Sequence, residues 1–387
     1  MAARQMRTSF PTCYRVPLVA LRVPPHAGIV NPASRLAGAG RPALLLALGV
    51  LALALHPAVA RPLRVAYTHS FVCVPLGIAE MQGFWQEAGL QVELRGYQTS
   101  VEVVSALRSA EVDLAFDQIA TWVDEAEAGT PLVILGETDW SLGGDKLLLR
   151  DGADLRNLRG RPIAVCLRGS GQMLFLREAL NRANLSLSEF PLAEVPEQEK
   201  ALQLFAEGKL HAVVCNDPWA SRLERSGAHT LATTADIPGI APEGFAARRG
   251  QVDDATLQRF FAVWFRAVAF LHDPANAGVV AETASVYSFA GSETITAADV
   301  ERYARTMPVH DAATSLRQND LESGNVRQLI QRLRVLLRLQ GRQVTESDLA
   351  AHFHLEPVRA TARSTADAGT IAAGAGTSRS SPLVTDR

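Results

Sequence analysis

The chain has 387 residues, which is long enough for two domains of ordinary size. It carries 38 basic and 40 acidic side chains, for a formal net charge of −2. Residues 1–60 hold six arginines and no Asp, Glu or Lys, so the remainder has 32 basic against 40 acidic side chains. Because an acidic surface repels nucleic acid and anionic lipid, this charge distribution argues against a nucleic-acid-binding protein.

Residues 1–60 have the pattern of an export signal with an over-long basic segment. Arg41 is followed by PALLLALGVLALALHPAVA, an apolar stretch that ends in Ala58, Val59 and Ala60. A basic segment, a short apolar segment and an A-x-A site are the parts of a secretory signal peptide. The pattern predicts cleavage after Ala60 and a periplasmic protein. An N-terminal membrane anchor is the alternative, although the apolar stretch is shorter than the roughly 20 residues of a bilayer span.

The cysteine count leaves the thiol chemistry open. Cys13 lies in the predicted signal peptide, which leaves Cys73, Cys166 and Cys215. An odd number of cysteines in an exported protein leaves at least one thiol free or paired between molecules. Cys166 and Cys215 each end an apolar run, so we expect them to be small buried side chains.

The first elements alternate between strand and helix. Leu63–Tyr67 has the pattern of a buried strand, and after a polar loop the helix PLGIAEMQGFW ends near Gly89, before the strand Leu90–Leu94. Strand, helix and strand within about thirty residues form a βαβ unit of a parallel sheet. Mostly apolar runs without alternation suit strands covered on both faces. Further runs of this kind are Val112–Phe116, Leu132–Gly136, Lys146–Leu149, Pro162–Cys166, His211–Cys215 and Thr230–Ala232.

The alternation predicts an α/β protein with two lobes. Asp139–Asp154 is rich in Gly and Asp, and a new series of strands and helices begins at Arg161. The predicted divisions are 1–60 signal peptide, 61–140 first part of lobe 1, 141–235 lobe 2, 236–356 return to lobe 1 with C-terminal helices, and 357–387 tail.

The C-terminal third is helical in pattern. ATLQRFFAVWFRAVAFLHD, from Ala255, carries five aromatic residues at the spacing of a core helix rather than of an aromatic ligand site. NVRQLIQRLRVLLRLQG, from Asn325, has apolar residues on one stripe and arginines elsewhere. From about Arg359 onward the chain is Ala, Thr, Ser and Gly with no periodic apolar face, which predicts a disordered tail.

Polar residues follow several predicted strands at the points where α/β folds bind ligands. In open α/β sheets the ligand lies at the C-terminal ends of the strands, beside the start of the next helix. Thr138 and Asp139 are at one such junction, after VILGE. The candidate ligand-binding residues from these junctions are His69, Ser70, Phe71, Asp117, Gln118, Trp140, Arg168, Gly169, Ser170, Gly171, Asn216, Asp217 and Trp219.

Each junction also has a purely structural interpretation. The RGSGQ segment from Arg168 could cradle an anion, since its glycines let backbone amides converge at a helix N-terminus, or it could be an ordinary turn that caps a helix. In NDPW, Asp217 could contact the ligand or cap the next helix while Trp219 packs. Trp140 could be a lid or a core residue. Asp117 favours an amine or a heterocyclic N–H over a cleft for anions alone.

A second hypothesis is a soft-metal or thiol-reactive site. His69, Cys73, Cys166 and Cys215 all fall at strand ends. Their spacing matches no standard zinc pattern, and His69 could simply be polar lining. The main prediction therefore includes no metal, no cofactor and no catalytic residue, with an enzyme or metal-binding protein using His69 and Cys73 as the alternative.

Five segments in register resemble one protein family. Between Leu63 and Leu271 the chain is similar to the nitrate/sulfonate/taurine and thiamine-precursor (NMT1-like) substrate-binding proteins of ABC importers. The segments are PLGIAEMQGFWQEAGLQVEL from Pro75, VDLAF from Val112, LRNLRGRPIAV from Leu155, RGSGQ from Arg168 and EGKLHAVVCNDPW from Glu207.

The resemblance implies the two-lobed type II periplasmic binding protein fold, with a helical C-terminal extension. It implies a monomeric receptor that closes around a sulfonate, taurine, a nitrate-like anion or a thiamine-type pyrimidine, and that delivers it to an ABC permease in the inner membrane. Arg168 favours an anion, whereas Asp117 and Asp217 favour a zwitterion or a heterocycle. Thiamine-pyrimidine synthases on this fold carry a dense cysteine run that this chain lacks, which argues against an enzyme. A sensor for a separate signalling protein is a third alternative.

Overall fold

A computed structural model describes residues 61–150, 152–165, 170–195, 198–216, 219–289 and 294–376. The predicted signal peptide and its cleavage site lie outside these residues. No helix within the described ranges combines the length and the apolar character of a membrane span.

The described residues form two five-stranded sheets. All eight strands predicted from apolar runs are present, with small shifts at their ends, and two further strands were not predicted. The strands are β1 Leu63–Thr68, β2 Val92–Tyr97, β3 Leu114–Gln118, β4 Leu132–Trp140, β5 Asp145–Arg150, β6 Ile163–Val165, β7 Leu192–Glu194, β8 Ala212–Asn216, β9 Ala228–Thr233 and β10 Pro242–Arg248.

The first sheet has the strand order β2-β1-β3-β10-β4. Strand β1 pairs in parallel with β2 and β3, whereas β10 runs antiparallel between β3 and β4. Val65 and Ala66 on β1 are fully buried, as expected for a strand covered on both faces. We call this sheet and the helices packed on it lobe 1.

The second sheet has the order β7-β6-β8-β5-β9. Strands β6, β7 and β8 are parallel, and β5 is antiparallel to both β8 and β9. We call this sheet and its helices lobe 2. Each lobe is therefore a mixed sheet, in which one antiparallel strand, β10 or β5, directly adjoins a connection to the other lobe.

Helices cover both sheets and make up most of the chain after residue 254. The aromatic helix Asp254–His272 is a core element, because Phe260, Phe261 and Trp264 are fully buried. The helices are α1 Val74–Met81, α2 Phe84–Glu87, α3 Ser100–Arg108, α4 Ile119–Glu127, α5 Ser170–Arg182, α6 Gln198–Ala206, α7 Trp219–Arg225, α8 Asp254–His272, α9 Ala277–Thr283, α10 Ala297–Thr306, α11 Ala312–Gln318, α12 Asn325–Leu339, α13 Glu346–Ala350 and α14 Glu356–Gly376, with 3₁₀ turns at Phe71–Cys73, Leu155–Leu158, Leu187–Glu189, Thr234–Asp236 and Pro274–Asn276 and a π-helical turn at Ala284–Ser288.

Two connections join the lobes: residues 141–144 lie between β4 and β5, and residues 234–241 lie between β9 and β10. Their side chains bond to each other. Ser141 Oγ lies 2.8 Å from Thr234 Oγ1, and the Gly143 N–H donates to the same Thr234 oxygen at 2.8 Å. Thr234 is fully buried. The two connections therefore behave as one bonded hinge rather than as independent linkers.

The disordered tail predicted from residue 357 is wrong over most of its length. Helix α14 extends through Glu356–Gly376 and packs on α8. Val358 and Ala362 are fully buried, and the Thr361 hydroxyl donates to the Gln258 carbonyl at 3.3 Å. Small side chains let two helices approach closely, so this segment packs without a broad apolar face. Residues 377–387 lie outside the described ranges.

Removing α14 should measurably destabilise the protein. A chain ending after Leu355 loses the buried Val358 side chain and the Arg359–Asp320 ion pair, whose N–O distance is 3.0 Å. Burying one valine is worth about 2 kcal/mol, so we expect urea denaturation to give a free energy of unfolding lower by at least about that amount. A chain ending after Gly376 is the matched control and should unfold like the full chain. Equal stability of both truncations would contradict the packing role of α14.

Candidate functional site

The end of β3 meets the start of α5 across the two lobes. At Gly171, the second residue of α5, an added Cβ would lie 1.9 Å from Gln118 Oε1. The Gln118 side chain therefore already occupies the space that any larger residue 171 would need. Sequence analysis placed these two residues at strand ends of separate lobes, and the structure brings them into contact.

Some predicted site residues of lobe 2 cannot be placed. Arg168, Gly169 and Asp217 lie outside the described residues, and Ser170 begins helix α5. The hypothesis that RGSGQ forms an anion cradle therefore stays a prediction.

Asp117 lies at the end of β3 and is almost fully buried. Its carboxylate accepts a hydrogen bond from Ser100 Oγ at 2.5 Å and one from the Gln118 N–H at 2.7 Å. Burial raises the pKa of Asp117 to about 6, although these hydrogen bonds and one from Thr121 favour the ionised form. Residues of lobe 1 therefore supply the hydrogen bonds to the Asp117 carboxylate.

Asp139 and Glu243 form a pair of carboxyl groups beside Asp117. Glu243 on β10 stands opposite Gln118 on β3 and opposite Asp139 on β4. Directly opposed residues on antiparallel strands share one face, with their Cβ atoms about 5 Å apart. Three neighbouring strands thus place Gln118, Glu243 and Asp139 in one row at the edge of the lobe 1 sheet.

The Asp139–Glu243 pair is poorly compensated. Asp139 is 1% exposed, and its Oδ1 accepts a 3.3 Å hydrogen bond from Thr138, while no group in the described part of the chain donates to Oδ2. Burial raises the pKa of Asp139 to about 8. Burial, and then the fields of Asp139, Asp145 and Asp117, raise the pKa of Glu243 well above its ordinary value, and a hydrogen bond from Gln118 only partly offsets them. The edge of lobe 1 that adjoins the hinge is therefore acidic.

Trp140 is bound to a second buried carboxyl group. Its Nε1–H donates to Glu137 Oε1 at 2.7 Å, and Asn325 Nδ2 donates to Glu137 Oε2 at 2.9 Å. Burial raises the pKa of Glu137 to about 8. The ring of His310 meets that of Trp140 edge-on, with the ring centroids 5.1 Å apart. Burial lowers the pKa of His310 to about 3. Trp140 is half-buried. Its contacts with Glu137 and His310 hold the indole in place, while part of the ring stays accessible.

The predicted residues after β1 have separate surroundings. His69 Nδ1 lies 2.9 Å from the Tyr287 carbonyl, which fixes the ring against the π-helical turn. Ser70 precedes the 3₁₀ turn Phe71–Cys73 and makes no capping hydrogen bond with its side chain. Phe71 is a core residue, fully buried with its ring 5.2 Å from that of Tyr303.

Asn216 and Trp219 occupy the corresponding edge of lobe 2. Asn216 ends β8 directly opposite Asp145 on β5 and is partly accessible. The Arg222 guanidinium stacks 4.5 Å over the Trp219 ring, a contact that holds the indole on lobe 2. This contact agrees with the interpretation that Trp219 packs against its own lobe.

Two of the thiols in the alternative site are buried. Cys73 and Cys215 both lie in the protein interior, and burial raises the pKa of the Cys73 thiol well above its ordinary value. A protonated, inaccessible thiol is a poor nucleophile and a poor metal ligand. Within the described ranges, no group of three or more His, Cys, Asp or Glu side chains is arranged to hold a metal ion. Cys166 lies outside those ranges.

The sequence analysis missed Glu243 and Glu137, and it placed Asp139 at a strand junction without including it among the candidate ligand-binding residues. Glu243 was missed because β10 was not predicted, and its position in the row follows only from strand pairing. A Pro at the start of a strand is a usable signal, since Pro242 begins β10 where no N–H is needed.

Two mixed sheets joined by a double connection are the architecture of the periplasmic binding protein fold, and solved structures with that fold match this chain. The alkanesulfonate-binding protein SsuA from Xanthomonas axonopodis pv. citri, bound to MOPS, is 19% identical with a TM-score of 0.59, covering 77% of this chain and 100% of its own. The periplasmic nitrate-binding protein NrtA from Synechocystis PCC 6803 is 13% identical with a TM-score of 0.61, covering 79% and 89%. SsuA from Escherichia coli is 16% identical with a TM-score of 0.58, covering 72% and 87%.

The sequence comparison identifies the family. Residues 57–285 match the NMT1-like family, and the chain belongs to it. No curated protein matches the chain in sequence. The predicted family and fold class are thereby confirmed.

Proposed function

We propose that this protein is the solute-binding component of an ABC importer. It captures a small polar organic ligand between its lobes and presents the closed form to a permease in the inner membrane. The observation that carries the proposal is the contact of Gln118 with Gly171 beside a hinge of two bonded connections. Such a hinge permits closure of the lobes as rigid bodies, which is how binding proteins of this kind signal occupancy.

The proposal requires export to the periplasm and no catalytic group. The candidate ligands are sulfonates such as taurine, nitrate-like anions and thiamine-type pyrimidines, because the similar solved structures include sulfonate- and nitrate-binding proteins. An enzyme that uses His69 and Cys73 is not favoured, since Cys73 is completely buried.

Thermal unfolding with added ligands tests this function. The purified protein would be unfolded to remove bound solute, refolded and melted with taurine, alkanesulfonates, nitrate, thiamine-type pyrimidines and amino acids. A ligand that binds only the native state stabilises it by about 2.7 kcal/mol at a hundredfold excess over Kd. We expect one organic class to raise Tm and to make the protein more compact in small-angle X-ray scattering. No shift with any compound would contradict the receptor function.

Gly171→Val should hinder closure. Its side chain would displace the Gln118 amide, whose Cδ lies only 2.7 Å from an added Cβ. We expect ligand affinity to fall at least about tenfold, equivalent to about 1.4 kcal/mol, and the ligand-induced compaction to be lost. Gly278→Val is the matched control, because an added Cβ there meets nothing within 4 Å. Unchanged affinity in Gly171→Val would contradict closure at this contact.

A further inference from the structure

We propose, on the basis of the solute-receptor function above, that the ligand carries a cationic nitrogen which binds lobe 1 at Asp139 and Glu243. The inference concerns the chemical class of the ligand and which lobe binds its charged end. It commits to an organic ammonium group or a protonated nitrogen heterocycle, rather than to a metal ion.

The first argument is geometric. Glu243 lies between Gln118 and Asp139 in the row formed by β3, β10 and β4. Gln118 contacts Gly171 of lobe 2, so the row ends at the point where the lobes meet. A solute held between the lobes would therefore lie against these carboxyl groups.

The second argument is an unpartnered buried atom. Asp139 is 1% exposed, and its Oδ2 has no hydrogen-bond partner among the residues that the structure describes, although Thr138 donates to its Oδ1. Buried acceptors are nearly always paired, because an unpaired one loses its hydration without compensation. A ligand N–H placed here would provide the missing donor.

The third argument is the sign of the local charge. Among the residues that the structure describes, the charged groups acting on Glu243 are Asp139, Asp145 and Asp117, all of them carboxyl groups. Carboxyl groups crowded together at this position oppose an anionic ligand, whereas a cation favours their ionised forms. A simple sulfonate or nitrate could not neutralise this end of the cleft. A zwitterion such as taurine could do so by directing its ammonium group toward lobe 1.

Calorimetric titration with matched probe pairs tests the inference. Each pair differs only by the cationic group: taurine against isethionate, putrescine against 1,4-butanediol, and choline against 3,3-dimethylbutanol. Nitrate and zinc chloride are added as single probes. We expect an ammonium compound to bind at least tenfold tighter than its partner, and Asp139→Asn and Glu243→Gln each to weaken it at least about tenfold. Glu282→Gln, an exposed carboxyl group on α9, is the matched control and should bind as the unsubstituted protein does.

The outcomes separate the inference from the underlying function. Tight binding of nitrate or isethionate that survives Asp139→Asn would overturn the cation inference and leave the receptor function intact. Binding of zinc alone, lost in Asp139→Asn, would replace the organic cation with a metal. No binding by any probe here or in the wider panel above would overturn both. Both substitutions should leave Tm of the ligand-free protein equal or higher, so unfolding cannot imitate a loss of binding.

Discussion

The free energy of unfolding of the ligand-free protein should fall as pH rises from about 6.5 to about 8.5. Burial raises the pKa of Glu137 and of Asp139 to about 8, whereas the unfolded chain titrates near the ordinary values of 4.5 and 3.8. In this window the folded state binds more protons than the unfolded state, so stability decreases with pH. Since one pKa unit corresponds to about 1.4 kcal/mol, the loss should be roughly 2 kcal/mol for each group.

Buried histidines, whose pKa values are lowered, set the lower limit of this pH window. His310 is buried with its pKa lowered to about 3, and the pKa of His272 is also lowered by burial. These histidines stabilise the fold above pH 6.5 and destabilise it progressively as pH falls below that value. Asp113, paired with Arg61 and Arg64, has its pKa lowered to about 2, so its stabilising contribution is lost only in strong acid and does not change in this window. Above pH 6.5 the buried carboxyl groups should therefore dominate.

Urea denaturation at pH 6.5, 7.5 and 8.5 measures this slope. Glu137→Gln should remove the part of the pH dependence that comes from Glu137. The new amide can keep both hydrogen bonds of the carboxyl group if the Asn325 side-chain amide rotates by about 180°. Asp139→Asn should remove the share of Asp139 and raise stability at pH 8.5. The exposed Glu282→Gln is the control, with the unsubstituted slope expected. A stability that is level or increases over this range would mean that these carboxyl groups are better solvated than their burial indicates.

Much of the fold could be predicted because the buried strands are continuous apolar runs. Leu63–Tyr67 and Leu132–Gly136 stood out against polar loops, and both are buried strands in the structure. Helix α8 was predictable as a core helix because Phe260 and Trp264 recur at helical spacing. In these segments, local pattern and tertiary burial agree.

The segments that were missed lack such a pattern. Strand β7 has three residues, Leu192–Glu194, and is too short to show alternation. Strand β10 is PEGFAAR, in which only Phe245 is a large apolar residue, and it is a strand because β3 and β4 pair with it on both sides. Helix α14 is built from small residues whose burial depends on contact with α8. Tertiary pairing, rather than local propensity, determines all three.

The site could be predicted in part for the same reason. The predicted strand ends located Asp117, Gln118 and Gly171, and the structure brings Gln118 and Gly171 into contact, whereas their role in ligand binding stays a prediction. The partnership of Asp139 with Glu243 depends on the register of β10 and has no signal in either local sequence. The position of Glu243 beside Asp139 could therefore be found only from the structure.

Affinity for a cationic ligand should rise with pH over the range in which the ligand-free protein loses stability. Burial raises the pKa values of Asp139 and Glu243, and the field of Asp139 raises that of Glu243 further. An ammonium group lowers those pKa values, so binding releases protons and is favoured by higher pH. For one proton released, the affinity should increase by up to about tenfold per pH unit between about pH 6.5 and 8. Taurine remains a suitable probe while its ammonium group stays protonated.

Titration calorimetry in buffers of different ionisation enthalpy measures both the affinity and the number of protons released. Within the described part of the chain, the titratable groups that act on the pair are Asp117 on β3, Glu137 on β4, Asp145 on β5 and Cys73 on the 3₁₀ turn before α1. The thiol of Cys73 stays protonated because burial raises its pKa. Asp139→Asn should abolish most of the proton release together with the pH dependence. An anion bound at the same place would instead take up protons and bind more weakly as pH rises. Whether protons are released or taken up on binding therefore shows whether lobe 1 accepts a cation or an anion, even before the ligand is identified.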